Sequence, residues 1–105
     1  MNLTGPTTLV LQALANGVRH GFDVIDVTEL PSGTVYPILR RLEREALVSA
    51  QWEHSAIARE EKRPPRRYYE LTAAGKAILE TALGRYRVPN TLASRARRLR
   101  PARSS

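Results

Sequence analysis

The sequence predicts a mainly α-helical fold with one small two-stranded β-sheet. Apolar residues recur at helical spacing in three segments before residue 46. The period then changes from 3.6 to 2 over LVSAQWE, and a second alternating segment, RYYEL, follows a charged loop. A further apolar helical stripe begins after RYYEL. At 105 residues the chain has room for one domain with a modest core.

Two helices are expected at the start of the chain. Predicted helix 1 covers residues 7–16, with Pro6 at its start and Gly17 just past its end. Predicted helix 2 covers residues 21–30 and is weak, because β-branched residues and two aspartates lower its helical propensity. Its expected buried positions are Phe22, Ile25 and either Val24 or Val27.

Predicted helix 3 runs from Ser32 or Gly33 to Glu45 and has two different faces. The core face holds Val35, Ile38, Leu39, Leu42 and Ala46. The opposite face holds Gly33, Pro37, Arg40, Arg41 and Arg44, with Tyr36 at its flank. Pro37 is expected at the fourth or fifth helical position. At most one hydrogen bond is lost there, so the cost stays well below the ~3 kcal/mol of a mid-helix proline.

Two strands and a fourth helix follow. The strands are expected at residues 47–53 and 67–71, with core-facing residues Val48, Ala50, Trp52, Tyr69 and Leu71. Trp52 is expected to pack between the sheet and helix 3, and a stacking platform for a planar ligand is the alternative. Residues 54–65 are polar, end in two prolines and are predicted to form a loop or hairpin tip. Helix 4 is expected to open at Thr72, a good N-cap, and to run to about Arg87.

The order of these elements is that of a winged helix-turn-helix. Helix 3 would then be the element that reads DNA, and the charged hairpin would be the wing along the phosphate backbone. A solvated basic face and a charge-blunted sheet edge are the alternatives. We expect the DNA-contacting residues to be Ser32, Thr34, Tyr36, Arg40, Arg41, Arg44, Lys62, Arg63, Arg66, Arg67 and Tyr68.

The expected division of the chain is a DNA-binding domain at residues 1–71, a dimerisation helix at 72–88 and a basic tail at 89–105. The tail is expected to be flexible or marginally helical, with only Leu92, Ala96 and Leu99 at helical spacing. The stripe on helix 4 is longer than a helix that only supports a wing needs, so part of it is expected to face a second copy. Its members are Ile78, Leu79, Ala82, Leu83 and Tyr86. A two-fold dimer would place its two reading helices roughly 34 Å apart on a palindromic site.

Charge and composition limit the function classes. The net charge is +7, and all of the excess lies from Arg85 onward, where seven arginines and no acid occur. Residues 1–84 hold 10 basic and 10 acidic residues. The absence of cysteine excludes disulfides and thiolate metal sites, and two histidines are too few for a metal site. No catalytic constellation is visible, so we expect neither an enzyme nor a cofactor. No signal peptide or membrane span is predicted.

Three segments, GVRHGFDV, SGTVYPILRRLEREALV and PPRRYYELTAAGKAIL, resemble the PadR family of bacterial winged-helix transcriptional regulators. The similarity covers about Thr8 to Leu83. It implies a homodimeric DNA-binding regulator, usually a repressor, that dimerises through its C-terminal helix and helix 1, which adds Leu9 to the dimerisation residues. It also implies a location in the bacterial cytoplasm, at the nucleoid. In some members an effector, often an aromatic compound, lowers the affinity for DNA.

The sequence departs from the family pattern at three places. The segment between His20 and Gly33 is a few residues shorter than usual, so helix 2 is expected to be clipped. Ala46 stands where the family commonly has glycine at the end of the reading helix. The C-terminal region lacks the long effector domain of larger members and has no tryptophan, so no effector is carried over.

We therefore expect a sequence-specific, dimeric repressor whose partners are double-stranded DNA and a second copy of the chain. One alternative is a non-specific nucleic-acid or nucleoid-binding protein driven by the arginine-rich tail. Another is an adaptor whose wing and tail bind an acidic protein. The sequence identifies neither the operator, the regulated genes nor an effector.

Overall fold

The computed structural model describes residues 3–99, and this part of the chain forms a winged helix-turn-helix, as the sequence predicts. The helices are α1 (Gly5–Ala15), α2 (Gly21–Thr28), α3 (Ser32–Arg44), α4 (Ser55–Glu60), α5 (Ala73–Leu83) and α6 (Asn90–Leu99). The strands are β1 (Val48–Trp52) and β2 (Arg67–Leu71), which pair antiparallel. None of the helices within residues 3–99 is long and apolar enough to cross a membrane.

The ends of α1 follow from local chemistry. The side chain of Thr4 accepts a hydrogen bond from the Thr7 amide, and Pro6 lies in the first turn, where its missing N–H costs nothing. Gly17 follows the helix with a φ of 90°, a conformation that glycine adopts without strain. The helix begins two residues earlier than predicted because Thr4, not a later residue, is its cap.

The core lies where α1, α2 and α3 meet one face of the sheet. Its fully buried side chains include Val10, Leu11, Val24, Val27, Val35, Leu39 and Leu42. Burying each such side chain stabilises the fold by about 1.5–3 kcal/mol. The predicted core face of helix 3 is confirmed at Val35, Ile38, Leu39 and Leu42. The prediction for Ala46 is wrong, because this residue is exposed.

Ala46 is exposed because it ends α3 in the left-handed conformation, with a φ of 60°. Its amide donates to the carbonyl of Glu43 at 3.0 Å, and the Leu47 amide donates to that of Leu42 at 2.9 Å. This pair of bonds defines a Schellman motif, whose left-handed position usually holds glycine. Alanine costs about 1 kcal/mol there.

Pro37 is the sixth residue of α3, counted from Ser32, so the expected fourth or fifth position is wrong. Pro31 is the N-cap. The first helical hydrogen bond runs from the Val35 amide to the Pro31 carbonyl at 3.0 Å. Since proline has no N–H, the carbonyl of Gly33 is the one acceptor that loses its helical partner. Gly33 is exposed with open space beside it, so water can reach this carbonyl. The cost is therefore that of one solvated group.

The sheet joins the wing to the core. Its register pairs Val48 with Leu71 next to the core and Trp52 with Arg67 at the far end. The free edge of β2 is partly covered, because the Tyr69 amide donates to the Arg19 carbonyl at 2.8 Å. The observed bounds of β2 match the predicted ones.

A close contact fixes α5 against the beginning of β1. The Thr72 amide donates to the Leu47 carbonyl at 3.1 Å, while its hydroxyl donates to the Ala46 carbonyl at 2.8 Å. The same hydroxyl oxygen accepts from the Gly75 amide and caps the helix, as predicted. A Cβ at Gly75 would collide with the Leu47 carbonyl oxygen, so glycine is required at this position.

The chain differs from the sequence-based prediction in the segment expected to be a loop. Residues 54–65 contain α4, which is capped by His54, whose Nδ1 accepts from the Ala56 amide at 3.1 Å. Local signals did not reveal this helix, because it is only six residues long and carries no extended apolar stripe.

The C-terminal region also differs from its prediction. Helix α5 ends at Leu83 instead of continuing to about Arg87. Residues 90–99 of the tail form α6, which agrees with the helical alternative and not with the flexible one. The remaining residues of that tail, 100–105, lie outside the described residues. Helix α6 packs on α1 and α2 and buries Leu92 and Ala96 completely.

Polar contacts of Arg95 add to the apolar packing of α6. The Arg95 Nε donates to the carbonyl of Val27 at 2.7 Å, and its Nη1 lies 2.9 Å from a carboxylate oxygen of Glu29. These atoms belong to the C-terminal end of α2, whose last carbonyls lack helical donors. Arg95 therefore caps α2 and ties α6 to the turn that leads into α3.

The expected dimerisation residues are distributed between this core and the surface. Leu79 and Ala82 are buried within the chain itself, Leu9 and Ile78 are half-buried, and the Tyr86 hydroxyl donates to the Leu3 carbonyl at 2.8 Å. Leu83 remains 43% exposed. Dimerisation through this region stays a prediction.

We predict that Leu92→Ala lowers the free energy of unfolding by about 2–5 kcal/mol, because it leaves a cavity between α6 and the three-helix core. Urea denaturation measures this loss. Thr91→Ala, at the exposed neighbouring position, is the matched control and should leave the stability within about 0.5 kcal/mol of the wild type. An unchanged midpoint for Leu92→Ala would show that α6 is not docked in solution.

Candidate nucleic-acid interface

The outward face of α3 carries two guanidinium groups that no carboxylate neutralises. Arg40 and Arg44 are exposed, lie one helical turn apart, and form no salt bridge with any residue of the described range 3–99. Ser32, Gly33 and Pro37 are exposed on the helix, and Thr34 is half-buried. The first turns of α3 are thus small in cross-section, and cationic side chains follow further along.

Arg41 points elsewhere. Its Nη2 donates to the Thr7 hydroxyl on α1 at 2.8 Å, and its Nε lies 3.9 Å from a Glu45 oxygen. Thr7 is fully buried. The sequence placed Arg41 with Arg40 and Arg44, but in the structure it joins α3 to α1.

Tyr36 lies at the flank of this face and packs on the beginning of α2. It is 38% exposed. A Cβ built on Gly21 would lie 2.5 Å from the Tyr36 Cε1 atom, so the ring occupies the space that a side chain at residue 21 would need. The phenol is therefore packed against the beginning of α2.

Glu53 and Arg63 form the structural centre of the wing. The Glu53 side chain is only 3% exposed, and its Oε2 atom lies 2.9 Å from the Nη2 of Arg63. The Arg66 amide and the Tyr68 hydroxyl also donate to the carboxylate, at 3.3 and 3.4 Å. Hydrogen bonding from Arg63 is the largest cause that lowers the pKa of Glu53 to about 2.

The Arg63 side chain is thus bound to a carboxylate within the wing. Its bond to Glu53 is also the main cause that raises its own pKa above the usual arginine value. The Arg63 amide donates to the Ala58 carbonyl at 3.0 Å, so the same residue holds α4 on the hairpin. The sequence suggested a DNA contact for this arginine because it could not show which carboxylate lies opposite.

Arg67 connects the wing to α3. Its Nη2 lies 2.7 Å from a Glu43 oxygen, and its guanidinium carbon lies 5.0 Å from the centre of the Trp52 ring. The prediction that Trp52 packs between the sheet and helix 3 is wrong, since the side chain is 66% exposed. The reason is that a charged residue of α3, Glu43, lies across from this end of the hairpin, and Arg67 pairs with it.

The two tyrosines of β2 lie on opposite faces, as predicted. Tyr69 is buried, and burial raises its pKa. Tyr68 is half-buried, and its ring centre lies 4.7 Å from that of His20. The structure therefore places Tyr68 against the segment before α2, and its contact with DNA stays a prediction.

Three cationic side chains of the wing remain exposed without a salt bridge inside residues 3–99. These are Arg59, Lys62 and Arg66. Together with Arg40 and Arg44 they form the solvent-accessible cationic set of α3 and the wing. Within the described part of the chain no group of three or more histidine, cysteine or acidic side chains could hold a metal ion.

A cleft of about 490 Å³ lies between α3 and the wing. Its walls come from the beginning of α2, from α3 and from β2, and its lining residues are His20, Gly21, Phe22, Asp23, Tyr36, Arg66, Arg67 and Tyr69. Phe22 is 79% exposed, although the sequence predicted it to be buried. Val24 and Val27 fill the core side of α2 instead, and no local signal shows that choice.

We predict that the Glu53–Arg63 pair stabilises the fold only while Glu53 is ionised. Because the folded-state pKa is about 2 and the ordinary value is 4.5, the contribution is present above pH 4.5 and is lost as the pH falls towards 2. Urea midpoints of the wild type and Glu53→Gln should therefore differ most at neutral pH and converge near pH 2.

Glu70→Gln is the matched control for this experiment. Glu70 pairs with Arg19 at 3.2 Å, but both side chains are about half exposed, so water screens the pair and its removal should hardly matter. A stability difference for Glu53→Gln that stays constant from pH 7 to pH 2 would contradict the assigned role of the ionised pair.

Comparison with known proteins now identifies the family. The profile of the transcriptional regulator PadR-like family matches residues 10–81. Among solved structures, a PadR-like transcription factor from Bacteroides fragilis superposes with a TM-score of 0.63 at 28% identity, over 74% of this chain and 76% of the other. Among curated proteins no match was found.

A second solved structure shares the fold. It is Bordetella bronchiseptica BpsR, whose DNA binding is regulated by 6-hydroxynicotinic acid; it superposes with a TM-score of 0.62 at 22% identity. The match covers 92% of this chain and 64% of BpsR, and at this identity it shows a likeness of fold alone. The family profile extends from α1 through both wing strands into α5. The chain belongs to the PadR-like family of transcriptional regulators.

Proposed function

We propose that this protein is a sequence-specific, dimeric repressor that reads operator DNA with α3 and holds the duplex with its wing. Membership of a family of transcriptional regulators supports a DNA-binding regulator in general. The observation that carries the specific proposal is the pair Arg40 and Arg44, exposed and unneutralised by any salt bridge of residues 3–99, on the outward face of α3. The proposed place of action is the nucleoid in the bacterial cytoplasm.

The proposed contacts divide into two kinds. Arg40 and Arg44 are suited to the O6 and N7 atoms of guanine in the major groove, where a two-pronged donor distinguishes bases. Lys62 and Arg66 are suited to phosphates, which fix position but carry little sequence information. The other predicted contact residues with internal partners, namely Arg41, Arg63, Arg67 and Tyr68, are assigned to the support of α3 and the wing.

Dimerisation is proposed through α5 and α1. The exposed Leu83 lies on α5, and the half-buried Leu9 and Ile78 are further apolar residues of the two helices. A two-fold pair would present two copies of α3 about one turn of DNA apart. Sedimentation at the concentrations used for DNA binding should give the mass of two chains; a single-chain mass for free and DNA-bound protein would remove the dimer from the proposal.

We predict that Arg40→Ala and Arg44→Ala each reduce affinity for the operator by about 5- to 150-fold, because each removes a base contact worth about 1–3 kcal/mol. The operator is first obtained by selection from random DNA, and fluorescence anisotropy then measures affinity for operator and for random duplex. Arg85→Ala, an exposed arginine after α5, is the control. Equal proportional losses on operator and random DNA would take the reading role away from α3.

A second candidate function is non-specific binding driven by the C-terminal arginines. Arg97 and Arg98 are exposed on α6 and form no salt bridge within the described residues. Deleting α6 cannot test this idea, because Leu92 and Ala96 belong to the core.

We predict that the double variant Arg97→Gln/Arg98→Gln keeps the ratio of operator to random affinity and loses at most about two units of the salt slope. The titration is repeated at several salt concentrations. Loss of nearly all affinity for both DNAs would instead favour the non-specific function.

A further inference from the structure

The cleft between α2, α3 and β2 contains Arg66, one of the proposed phosphate contacts, and further residues to which the proposed function gives no role. We refer to it as the backbone cleft. Its defining residues are Phe22 and Asp23 on α2, Tyr36 on α3, Arg66 just before β2, and Tyr69 on β2. It lies directly between the element proposed to enter the major groove and the wing.

Phe22 is the least expected residue of this cleft. Its side chain is 79% exposed, although its neighbours Val24 and Val27 on α2 are fully buried. Covering an exposed phenyl ring removes apolar surface from water and is favourable. The ring lines the same cleft as Arg66, an exposed cation without a salt bridge among residues 3–99. The cleft therefore offers one apolar surface and one available positive charge.

The other charges of the cleft leave Arg66 as its available cation. Arg67 also lines the cleft, but its guanidinium is bound to Glu43 at 2.7 Å. Asp23 contributes a negative charge on the α2 side, which opposes an anion. An anionic occupant is thus expected to lie towards β2, with its uncharged part towards Phe22 and Tyr36.

The double helix supplies a group of this chemistry. If α3 enters the major groove and the wing follows the neighbouring minor groove, the backbone strand that separates the two grooves must pass between α3 and the wing. Each unit of that strand carries an anionic phosphate next to an uncharged deoxyribose. The phosphate matches the charge of Arg66, and the neighbouring deoxyribose matches the apolar ring of Phe22.

We propose that the backbone cleft holds one sugar-phosphate strand of the operator, with Arg66 bound to a phosphate and Phe22 packed on a neighbouring deoxyribose. This assignment rests on the proposed function, since it needs α3 and the wing on the duplex. It adds a contact from α2, which the sequence assigned to the core, and it makes the cleft a positioning site that fixes how deeply α3 enters the groove.

The test combines protein variants with single neutralised phosphates. Operator duplexes carry one methylphosphonate at each backbone position in turn, and affinities are measured for the wild type, Arg66→Gln and the control Arg85→Gln. The wild type and the control should lose affinity at one common position in each half-site. Arg66→Gln should lose no further affinity at that position while keeping its sensitivity at the others.

Variants at the two α2 residues test the rest of the assignment. Phe22→Ala should lower affinity for operator and random DNA about fivefold without changing the salt slope, whereas Phe22→Tyr should keep it. Asp23→Asn should raise affinity at low salt, because it removes a negative charge from the path of the strand. Thermal unfolding should be nearly unchanged for Phe22→Ala, since the ring is exposed.

If Arg66→Gln and each single methylphosphonate lower the affinity additively at every backbone position, the phosphate assignment is overturned. Unchanged affinity for Phe22→Ala would overturn the deoxyribose contact. Both results are distinct from failure of the proposed function, in which the wild type shows no operator preference and Arg40→Ala affects operator and random DNA alike. If the protein keeps operator selectivity but shows additive losses, the proposed function stands and only the proposed role of the cleft is wrong.

Discussion

The carbonyl group of Leu47 lies where α3, the wing and α5 meet, and the relative position of all three depends on it. The Thr72 amide donates to this carbonyl, and the backbone of Gly75 approaches it so closely that no side chain fits. One residue earlier, Ala46 ends α3 in a left-handed conformation despite the strain. The first pair of the sheet, Val48 with Leu71, follows directly from this junction. The angle between α3 and the wing is therefore set by backbone contacts.

Charged pairs then hold the wing, α3 and α6 in the positions that the backbone contacts at Leu47 allow. Arg63 holds the wing together through the buried Glu53, Arg67 ties the wing to Glu43 of α3, and Arg95 ties α6 to the end of α2. Each of these arginines is used inside the protein. The cations that remain on the surface of α3 and the wing can thus meet DNA from a scaffold that loses little conformational freedom on binding.

Some of this architecture was predictable because it depends on neighbouring residues. The two faces of α3 follow from helical period, β2 from alternation, and the cap at Thr72 from its hydroxyl and the helix behind it. The resemblance to the family also singled out Ala46, which stands where glycine is common at the end of α3, and this residue has a positive φ.

The features that could not be predicted depend on contacts distant in sequence. Phe22 and Val24 are both apolar residues of α2, and only the position of α1 and α3 decides which one is buried. Arg63 is a cation of the wing by sequence, and only the fold places the Glu53 carboxylate against it. Helix α6 has a basic composition and few apolar residues, and it is stable because Leu92 and Ala96 find a place against α1 and α2.

The central claim is that the exposed face of α3 reads bases while the wing and the backbone cleft hold the strand. The most direct measurement is to select binding sequences from random DNA with the wild type and, separately, with Arg40→Ala, and to compare the two preferences base by base. The account predicts that the variant loses preference at one or two positions in each half-site and keeps it elsewhere. An unchanged preference at every position, with only a lower affinity, would contradict it.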